Sequence, residues 1–222
     1  MAEDEADRPT VDAFLYGDYV CPFSYLLDAR LRRLDDDLGL RVHWRPLTVH
    51  GAVPSDGLPA DQLGREPEEQ ARLEAEVSRQ ARELGVELDL PGFVANSHEA
   101  LQAAEFARDV GEEAFRRAHR AFFRAYFVDG ENLGRRETLL EVAADAGLDR
   151  EGLEHALEDG RYRSELERAS EEAERYGIEG TPTLLAGRHK VVGAAPAEVL
   201  REAADRARRD GRAERPPGET AG

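Results

Sequence analysis

The sequence predicts an α/β fold in which one small four-stranded sheet, flanked by helices, is interrupted by an inserted block of helices. Three observations support this prediction. Residues 11–45 read as strand, helix and strand, residues 67–176 show helical patterns with almost no strand signal, and two strands and a helix follow Gly177. Because the two halves must meet in one sheet, the loops around Cys21 and Pro182 are expected to become neighbours in space.

Local signals place the first three elements. Residues 11–16 form a short, mostly apolar run that predicts a strand. Cys21 and Pro22 open a helix that continues to about Leu38, because proline is favoured at the first helical position, where its missing N–H would be unpaired anyway. A second strand is expected at residues 41–45.

The centre and the end of the chain change character twice. Residues 51–64 are rich in Gly, Pro and Asp and predict a long loop. Glycines separate the patterns that follow, as expected where helices stop. The predicted helices are 68–84, 97–110, 112–128, 135–146, 150–157 and 162–176; the later strands are 181–186 and 190–192, and the last helix runs from 196 to about 209.

These elements divide the chain into three parts and two tails. The first part of the sheet domain is predicted at 10–50 and its second part at 171–210, with the helical subdomain at 51–170 between them. Residues 1–9 and 211–222 are polar tails. The first ten residues show no basic and apolar leader pattern, and the run at 11–16 is too short to span a bilayer, so we expect a cytoplasmic protein.

Charge and cysteine content exclude several classes of function. The chain has 30 basic and 47 acidic residues, a net charge of −17, which argues against binding to nucleic acid or to an anionic membrane. Lys190 is the single lysine, so the other basic residues are all arginine. This bias, together with the many acidic residues, indicates adaptation to high salt, and we prefer this halophilic interpretation. The alternative is the codon usage of a GC-rich genome. Cys21 is the single cysteine, which excludes an intramolecular disulfide and a thiolate-rich metal cluster within one chain.

Cys21 is also the strongest candidate for chemistry. It occupies the predicted N-cap of the first helix, where unpaired N–H groups and the helix dipole are expected to lower the pKa of the thiol. The alternative is a small buried residue at a strand–helix junction.

Three sequence motifs occur in an order that resembles a known family. The first is D-Y-V-C-P-F-S-Y at 18–25, the second comprises N-S-H-E-A-L at 96–101 and A-H-R-A-F-F-R-A-Y-F at 118–127, and the third is G-I-E-G-T-P-T-L at 177–184. With them the chain resembles the DsbA-like, thioredoxin-fold oxidoreductases over roughly residues 11–209. The resemblance is to the FrnE-type branch, which is related to 2-hydroxychromene-2-carboxylate isomerases and kappa-class glutathione transferases. It implies a thioredoxin-like fold with an inserted all-helical subdomain.

The resemblance also implies roles for particular residues. Cys21 matches the family's nucleophile, beside Pro22, and Pro182 matches a cis-proline that lies opposite the thiol. The backbone of Thr181 would then be free to pair with an extended peptide or thiol substrate. The implied substrate-binding residues are Thr181, Pro182, Phe23 and Tyr25.

One position departs from the family pattern. Ser24 stands where dithiol members have the resolving cysteine, and serine cannot attack a mixed disulfide. We therefore expect a monothiol oxidoreductase whose mixed disulfide on Cys21 is resolved by an external thiol, with Ser24 donating a hydrogen bond to the thiolate. No cofactor is expected, other than a low-molecular-weight thiol as co-substrate, and the partners are thiol- or disulfide-bearing proteins or small thiols.

Two other functions remain open. The first is a thiol-cofactor-dependent isomerase or transferase, because related enzymes use a serine in this turn to hold a bound glutathione thiol; that serine normally occupies the position of Cys21. The second is a non-catalytic thioredoxin-fold binding module.

The remaining candidates favour structural roles. The six histidines show no close metal-ligand spacing, so we expect no metal site and a hydrogen-bonded structural role for each: His43, His50, His98, His119, His155 and His189. The aromatic residues at 122, 123, 126 and 127 have helical spacing and are expected in the core, with some of them beside Cys21.

Overall fold

The structure is a computed structural model that describes residues 10–210, apart from the side chains of Asp35 and Asp36. Both predicted tails, 1–9 and 211–222, lie outside the described residues. The strands are β1 (Val11–Gly17), β2 (Leu40–Pro46), β3 (Leu58–Pro59), β4 (Phe93–Val94), β5 (Thr183–Ala186) and β6 (His189–Val192). The helices are α1 (Pro22–Arg33), α2 (Asp35–Leu38), α3 (Pro67–Leu84), α4 (His98–Val110), α5 (Glu112–Phe127), α6 (Arg136–Asp145), α7 (Arg150–Glu158), α8 (Arg163–Arg175) and α9 (Ala197–Asp210), with a 3-10 helix at Ala60–Leu63.

Four strands form one sheet in the order β2-β1-β5-β6. β1 pairs parallel with β2 and antiparallel with β5, and β5 pairs antiparallel with β6. This arrangement is the thioredoxin-like fold that the resemblance implied, with the helices α3–α8 inserted between β2 and β5. Because β1 and β5 are antiparallel neighbours, with Tyr16 beside Thr183, the loop that follows β1 and the loop that precedes β5 emerge at the same end of the sheet.

Both faces of β1 are buried, which explains why it reads as a nearly continuous apolar run. Ala13 and Leu15 point into the main core, which also contains α1, α9 and the inserted helices. Phe14 and Tyr16 point the other way, into a smaller cluster under α8. The Tyr16 hydroxyl donates a 2.7 Å hydrogen bond to Glu172 Oε1 and so ties β1 to α8.

The structure differs from the sequence prediction at two places. The first helix does not run unbroken to Leu38: it ends at Arg33, where the Leu34 N–H bonds to both Arg30 O and Leu31 O in a tighter turn, and α2 follows. A two-stranded pair, β3 with β4, lies in the predicted loop at 51–64 and in the predicted break between the helices 68–84 and 97–110. Strands of two residues are too short to show a period, so no pattern could have revealed them.

Candidate functional site

The fold brings the first and the third sequence motifs, at 18–25 and 177–184, into contact at Cys21. Cys21 is the N-cap of α1, with φ −94° and ψ 113°, and only 9% of the residue is exposed. Its thiol donates to the backbone oxygen of Thr181, with an Sγ–O distance of 3.4 Å. The Thr181–Pro182 peptide bond is cis, as expected. Thr181 lies two residues before Thr183, the first residue of β5, so its own N–H and C=O lie outside the strand ladder.

Burial controls the ionisation of this thiol. Removal from water raises the pKa of Cys21, and the negative charge of Asp18 acts in the same direction. The hydroxyl and the N–H of Ser24 favour the thiolate, as expected for a helix N-terminus, but they do not outweigh burial. The expectation of a lowered pKa was therefore wrong, because sequence position reveals the helix end and not how deeply the sulfur is buried.

This environment makes a prediction for the pH dependence of alkylation. Because only the thiolate reacts and its pKa is raised, the half-maximal rate of Cys21 alkylation by iodoacetamide should lie at higher pH than that of N-acetylcysteine measured alongside. At pH 7 the protein should react more slowly than the free amino acid derivative. Equal midpoints would show that water reaches the sulfur freely.

Asp18 holds the loop that carries Cys21. It is fully buried, and its carboxylate accepts hydrogen bonds from the N–H of Val20 (3.2 Å) and from that of Val49 (2.7 Å). Burial raises the pKa of Asp18 despite these bonds. Its own N–H donates to Ser24 Oγ at 3.3 Å, so one residue links the loop, the first turn of α1 and the segment after β2. Sequence reasoning gave Asp18 no role, although an Asp two residues before a bonded N–H is a recognisable turn pattern.

A cavity of about 230 Å³ opens beside the thiol. Cys21, Pro22, Phe23 and Thr181 line it, which brings four of the predicted site residues together. The rest of the wall comes from the loop before α1, the segment after β2, the 3-10 helix and the residues that follow it, α3, the segment that leads into β4, β4 itself and α5: Val20, Val49, His50, Ala60, Arg65, Gln70, Leu73, Leu90, Pro91, Phe93, Val94, Tyr126 and Phe127. The cavity is therefore built jointly by the sheet domain and the helical insertion.

The other predicted site residues lie around this cavity. Ser24 is fully buried behind the thiol. The Tyr25 ring stacks on Phe127, with centroids 5.6 Å apart, and on Phe123, at 5.3 Å. Since Phe127 lines the cavity, Tyr25 supports that wall from its far side.

His50 and Arg65 are cavity residues that sequence reasoning missed. His50 was expected to be structural, and Arg65 was not singled out, since both come from segments whose path the sequence did not define. Burial, assisted by the positive charge of Arg65, lowers the pKa of His50. No local pattern could have placed them near Cys21.

A buried chain of polar groups lies under the same loop. The Tyr19 hydroxyl contacts His119 Nδ1 at 2.8 Å, and His119 Nε2 lies 3.3 Å from Asp28 Oδ1. Arg32 Nε donates to the other Asp28 oxygen at 2.9 Å. Burial opposes ionisation of Asp28, but the charge and hydrogen bonds of His119 and Arg32 prevail and hold the pKa of Asp28 below its usual range. The chain anchors Tyr19, two residues before Cys21, to α5 and α1.

Asp28→Asn should therefore destabilise the protein by about 2 kcal/mol at pH 7, because it leaves the buried partners of the carboxylate incompletely bonded. Because the folded-state pKa of Asp28 is lowered, its stabilisation is fully present above the unfolded value and is lost as the pH falls through the folded one. When the free energy of unfolding is measured in urea between pH 7 and pH 2, the difference between Asp28→Asn and the wild type should become smaller as the pH falls. Asp61→Asn, at an exposed position, is the control and should change little at any pH. A pH-independent difference would contradict the assignment.

Other histidines have local partners. His43 Nε2 lies 2.8 Å from Asp12 Oδ1, and His189 Nε2 lies 2.8 Å from Asp210 Oδ2. Within residues 10–210 we find no group of three or more His, Cys, Asp or Glu residues placed to hold a metal ion. The helices in that range include none that is both long and apolar enough to cross a membrane.

Comparisons with known proteins agree with this geometry. The sequence matches the DSBA-like thioredoxin domain over residues 10–205. It is 29% identical to YwbO of Bacillus subtilis (strain 168) over 202 residues, which cover 87% of this chain and 96% of that protein. The structure is similar to the probable DsbA oxidoreductase SCO1869 from Streptomyces coelicolor (TM-score 0.78, 26% identity, 95% and 94% of the two chains covered). It also shares its fold with a 2-hydroxychromene-2-carboxylate isomerase (TM-score 0.68, 22% identity, 90% and 97% covered).

Proposed function

The chain belongs to the DSBA-like thioredoxin family, and from that premise we propose that it catalyses thiol–disulfide exchange with Cys21 as its only nucleophile. The observation that carries the proposal is the position of the thiol, at a helix N-terminus, in contact with the Thr181 carbonyl and on the wall of a cavity. Cys21 is the one cysteine among 222 residues, so this chain has no second thiol that could release a bound substrate.

The reaction then has two balanced exchange steps. The Cys21 thiolate, its proton lost to solvent, attacks one sulfur of a substrate disulfide, forms a mixed disulfide and expels the other sulfur as a thiolate. An external thiolate attacks the substrate sulfur of that mixed disulfide, which releases a new disulfide and regenerates the Cys21 thiolate. Over the cycle the external thiol is oxidised and the thiol expelled from the substrate is the reduced product. A reduced thiol pool such as that of the cytoplasm would supply the external thiol.

The single thiol favours exchange over net oxidation. Oxidation of a substrate dithiol by this family's chemistry requires a second cysteine to hold the protein's own disulfide, and this chain has one cysteine. We therefore assign the protein to reduction of mixed disulfides or to isomerisation and not to net oxidation of dithiols. Ser24 would assist by donating a hydrogen bond from its hydroxyl to the thiolate.

Substrate contacts follow from the groups around the sulfur. The N–H of Thr181 lies outside the β5 ladder and would donate to an extended substrate beside Pro182, while its C=O accepts from the Cys21 thiol. Pro22 and Phe23 would form the apolar surface on the other side of the reacting sulfur.

A turnover experiment tests the proposal. A labelled peptide carrying a mixed disulfide with 2-mercaptoethanol is incubated with excess free thiol, with and without the protein. We expect multiple turnovers, and intact mass spectrometry should show a single thiol adduct on Cys21 that excess thiol removes. A rate equal to that of the free thiol alone, with Cys21 unmodified, would exclude exchange catalysis.

The cavity beside Cys21 also favours a second function, a small-molecule isomerase or transferase that uses a bound thiol cofactor. The two functions differ in their dependence on Cys21. Equilibrium binding of a small thiol that persists in Cys21→Ser, together with conversion of a small substrate, would support the second. Binding that is covalent and lost in Cys21→Ser supports the first.

A further inference from the structure

The single lysine of the chain, Lys190, bonds to the end of a neighbouring helix. Its ammonium donates hydrogen bonds to Tyr176 O at 2.9 Å and to Gly177 O at 2.6 Å. Tyr176 is the C-cap of α8, and Gly177 follows it in the left-handed conformation, with φ 61°. Carbonyls at the C-terminus of a helix lack partners within the helix and carry partial negative charge, so a cation is favoured there. Lys190 therefore stabilises the point at which the chain leaves α8.

This contact reaches α8 from the sheet and not from the helix itself. Lys190 lies in the edge strand β6 and pairs with Leu185 of β5. Leu185 belongs to the small cluster under α8, together with Ile178. Side chains opposite each other in an antiparallel pair lie on the same face, so Lys190 extends towards α8 beside that cluster. The contact thus fixes the end of α8 relative to the β5–β6 hairpin.

The residues after α8, which we call the 177–182 loop, lead directly to the reactive sulfur. At the end of the loop, Pro182 O accepts a 2.8 Å hydrogen bond from the N–H of Gly193, the residue that follows β6. Between the two ends, Thr181 presents its carbonyl oxygen to the Cys21 thiol. Residues 179 and 180 are exposed, so the path of this part of the loop depends on how its ends are held. The side chain of Lys190 and the backbone after β6 hold those ends.

We propose that Lys190 is a positioning residue for the reactive site: it holds the start of the 177–182 loop, so that the Thr181 carbonyl stays against the Cys21 thiol and the loop keeps water from the sulfur. Lys190 bonds to the loop and does not line the cavity, so it acts through Thr181 and not on the substrate. Only the effect of Lys190 on turnover rests on the proposed exchange function; its effect on the thiol does not.

Loss of this contact should change the ionisation of Cys21 in a direction that identifies the cause. Burial is the main influence that raises the pKa of the Cys21 thiol, and it outweighs the side chain of Thr181, which favours the thiolate. A displaced loop would admit water and lower that pKa towards its ordinary value. Removal of the positive charge of Lys190 without displacement would act in the opposite direction, because a cation favours the thiolate. Asp18, whose charge also acts on the thiol, lies on another loop and is present in every variant below.

The test compares Lys190→Met, which keeps an unbranched side chain but removes the charge and the donors, with Arg188→Met. Arg188 is an exposed residue in the turn of the same hairpin and pairs with Asp210, so its variant removes one positive charge and no bond to the loop. Alkylation of Cys21 by iodoacetamide should be half-maximal about half a pH unit lower in Lys190→Met than in the wild type, and at the wild-type pH in Arg188→Met. Lys190→Arg, which keeps the charge and donors, should lie nearer to the wild type than Lys190→Met does.

The same proteins separate this role from a purely structural one. Because the Lys190 contact is exposed, the urea concentration at half-unfolding should change little in Lys190→Met. For the exchange reaction, the KM of the labelled mixed disulfide should rise about threefold, because a displaced Thr181 pairs less well with the substrate. An unchanged or higher alkylation midpoint in Lys190→Met, or an equal fall in Arg188→Met, would overturn the inference. If the midpoint falls in Lys190→Met alone but the wild type catalyses no exchange, the proposed function fails and the positioning role stands.

Discussion

Replacing Cys21 with serine should reduce the rate of thiol–disulfide exchange by roughly a thousandfold or more, to that of the external thiol alone. The hydroxyl of serine is not ionised at neutral pH and cannot form a disulfide, and no other cysteine can substitute for it in this chain. The measurement is the turnover of the labelled mixed disulfide by wild type and by Cys21→Ser at equal protein concentration.

The variant should remain folded, so that the loss can be attributed to chemistry. A serine hydroxyl can donate to the Thr181 carbonyl as the thiol does, and the change in volume at this buried position is small. We expect a change in unfolding free energy within about 1.5 kcal/mol. Unchanged turnover in a folded Cys21→Ser would contradict the assignment of the nucleophile. A different result would identify the chain as a binding module: neither the wild type nor Cys21→Ala catalyses exchange, and Cys21→Ala binds the partner as well as the wild type does.

The parts of the fold with strong local signals could be predicted from the sequence. The apolar run of β1, Pro22 at the first position of α1 and the glycines between the inserted helices each act through neighbours in the chain. The contact between Cys21 and Thr181 spans 160 residues, and it could be expected because a single sheet had to join both halves. A contact between residues far apart in the sequence was therefore predictable where the sheet topology required it.

Other features of the site depend on packing that has no local signal. The depth of Cys21, which raises its pKa, arises from walls contributed by α3, α5 and the β3–β4 pair. Arg65 and His50 reach the same cavity from segments that read only as polar loop. The sequence motif predicts the candidate nucleophile, whereas the burial that raises the pKa of its thiol depends in part on the helical insertion.

Ser24→Cys should change the chemistry of the protein from one thiol to two. Residue 24 lies in the first turn of α1, its N–H bonds to Cys21 O at 3.0 Å, and its side chain already influences the Cys21 thiolate. A thiol at this position would face the Cys21 sulfur and attack any mixed disulfide formed there. Because that attack is intramolecular, we expect the lifetime of the mixed disulfide to fall by about a hundredfold or more.

The experiment compares mixed-disulfide lifetimes by intact mass spectrometry in the wild type, in Ser24→Cys and in Ser164→Cys, which adds an exposed thiol remote from the cavity. Ser24→Cys should form an internal disulfide and release the substrate without external thiol, whereas Ser164→Cys should behave as wild type. The new cysteine weakens the hydrogen bond from the Asp18 N–H, so a stability loss of about 1 kcal/mol is expected. A persistent adduct on Ser24→Cys would mean that the buried first turn of α1 cannot move its residue 24 sulfur into line with Cys21. In that case the geometry of the first turn of α1, and not the identity of residue 24, would prevent internal release, and the external thiol would control how long a substrate stays bound.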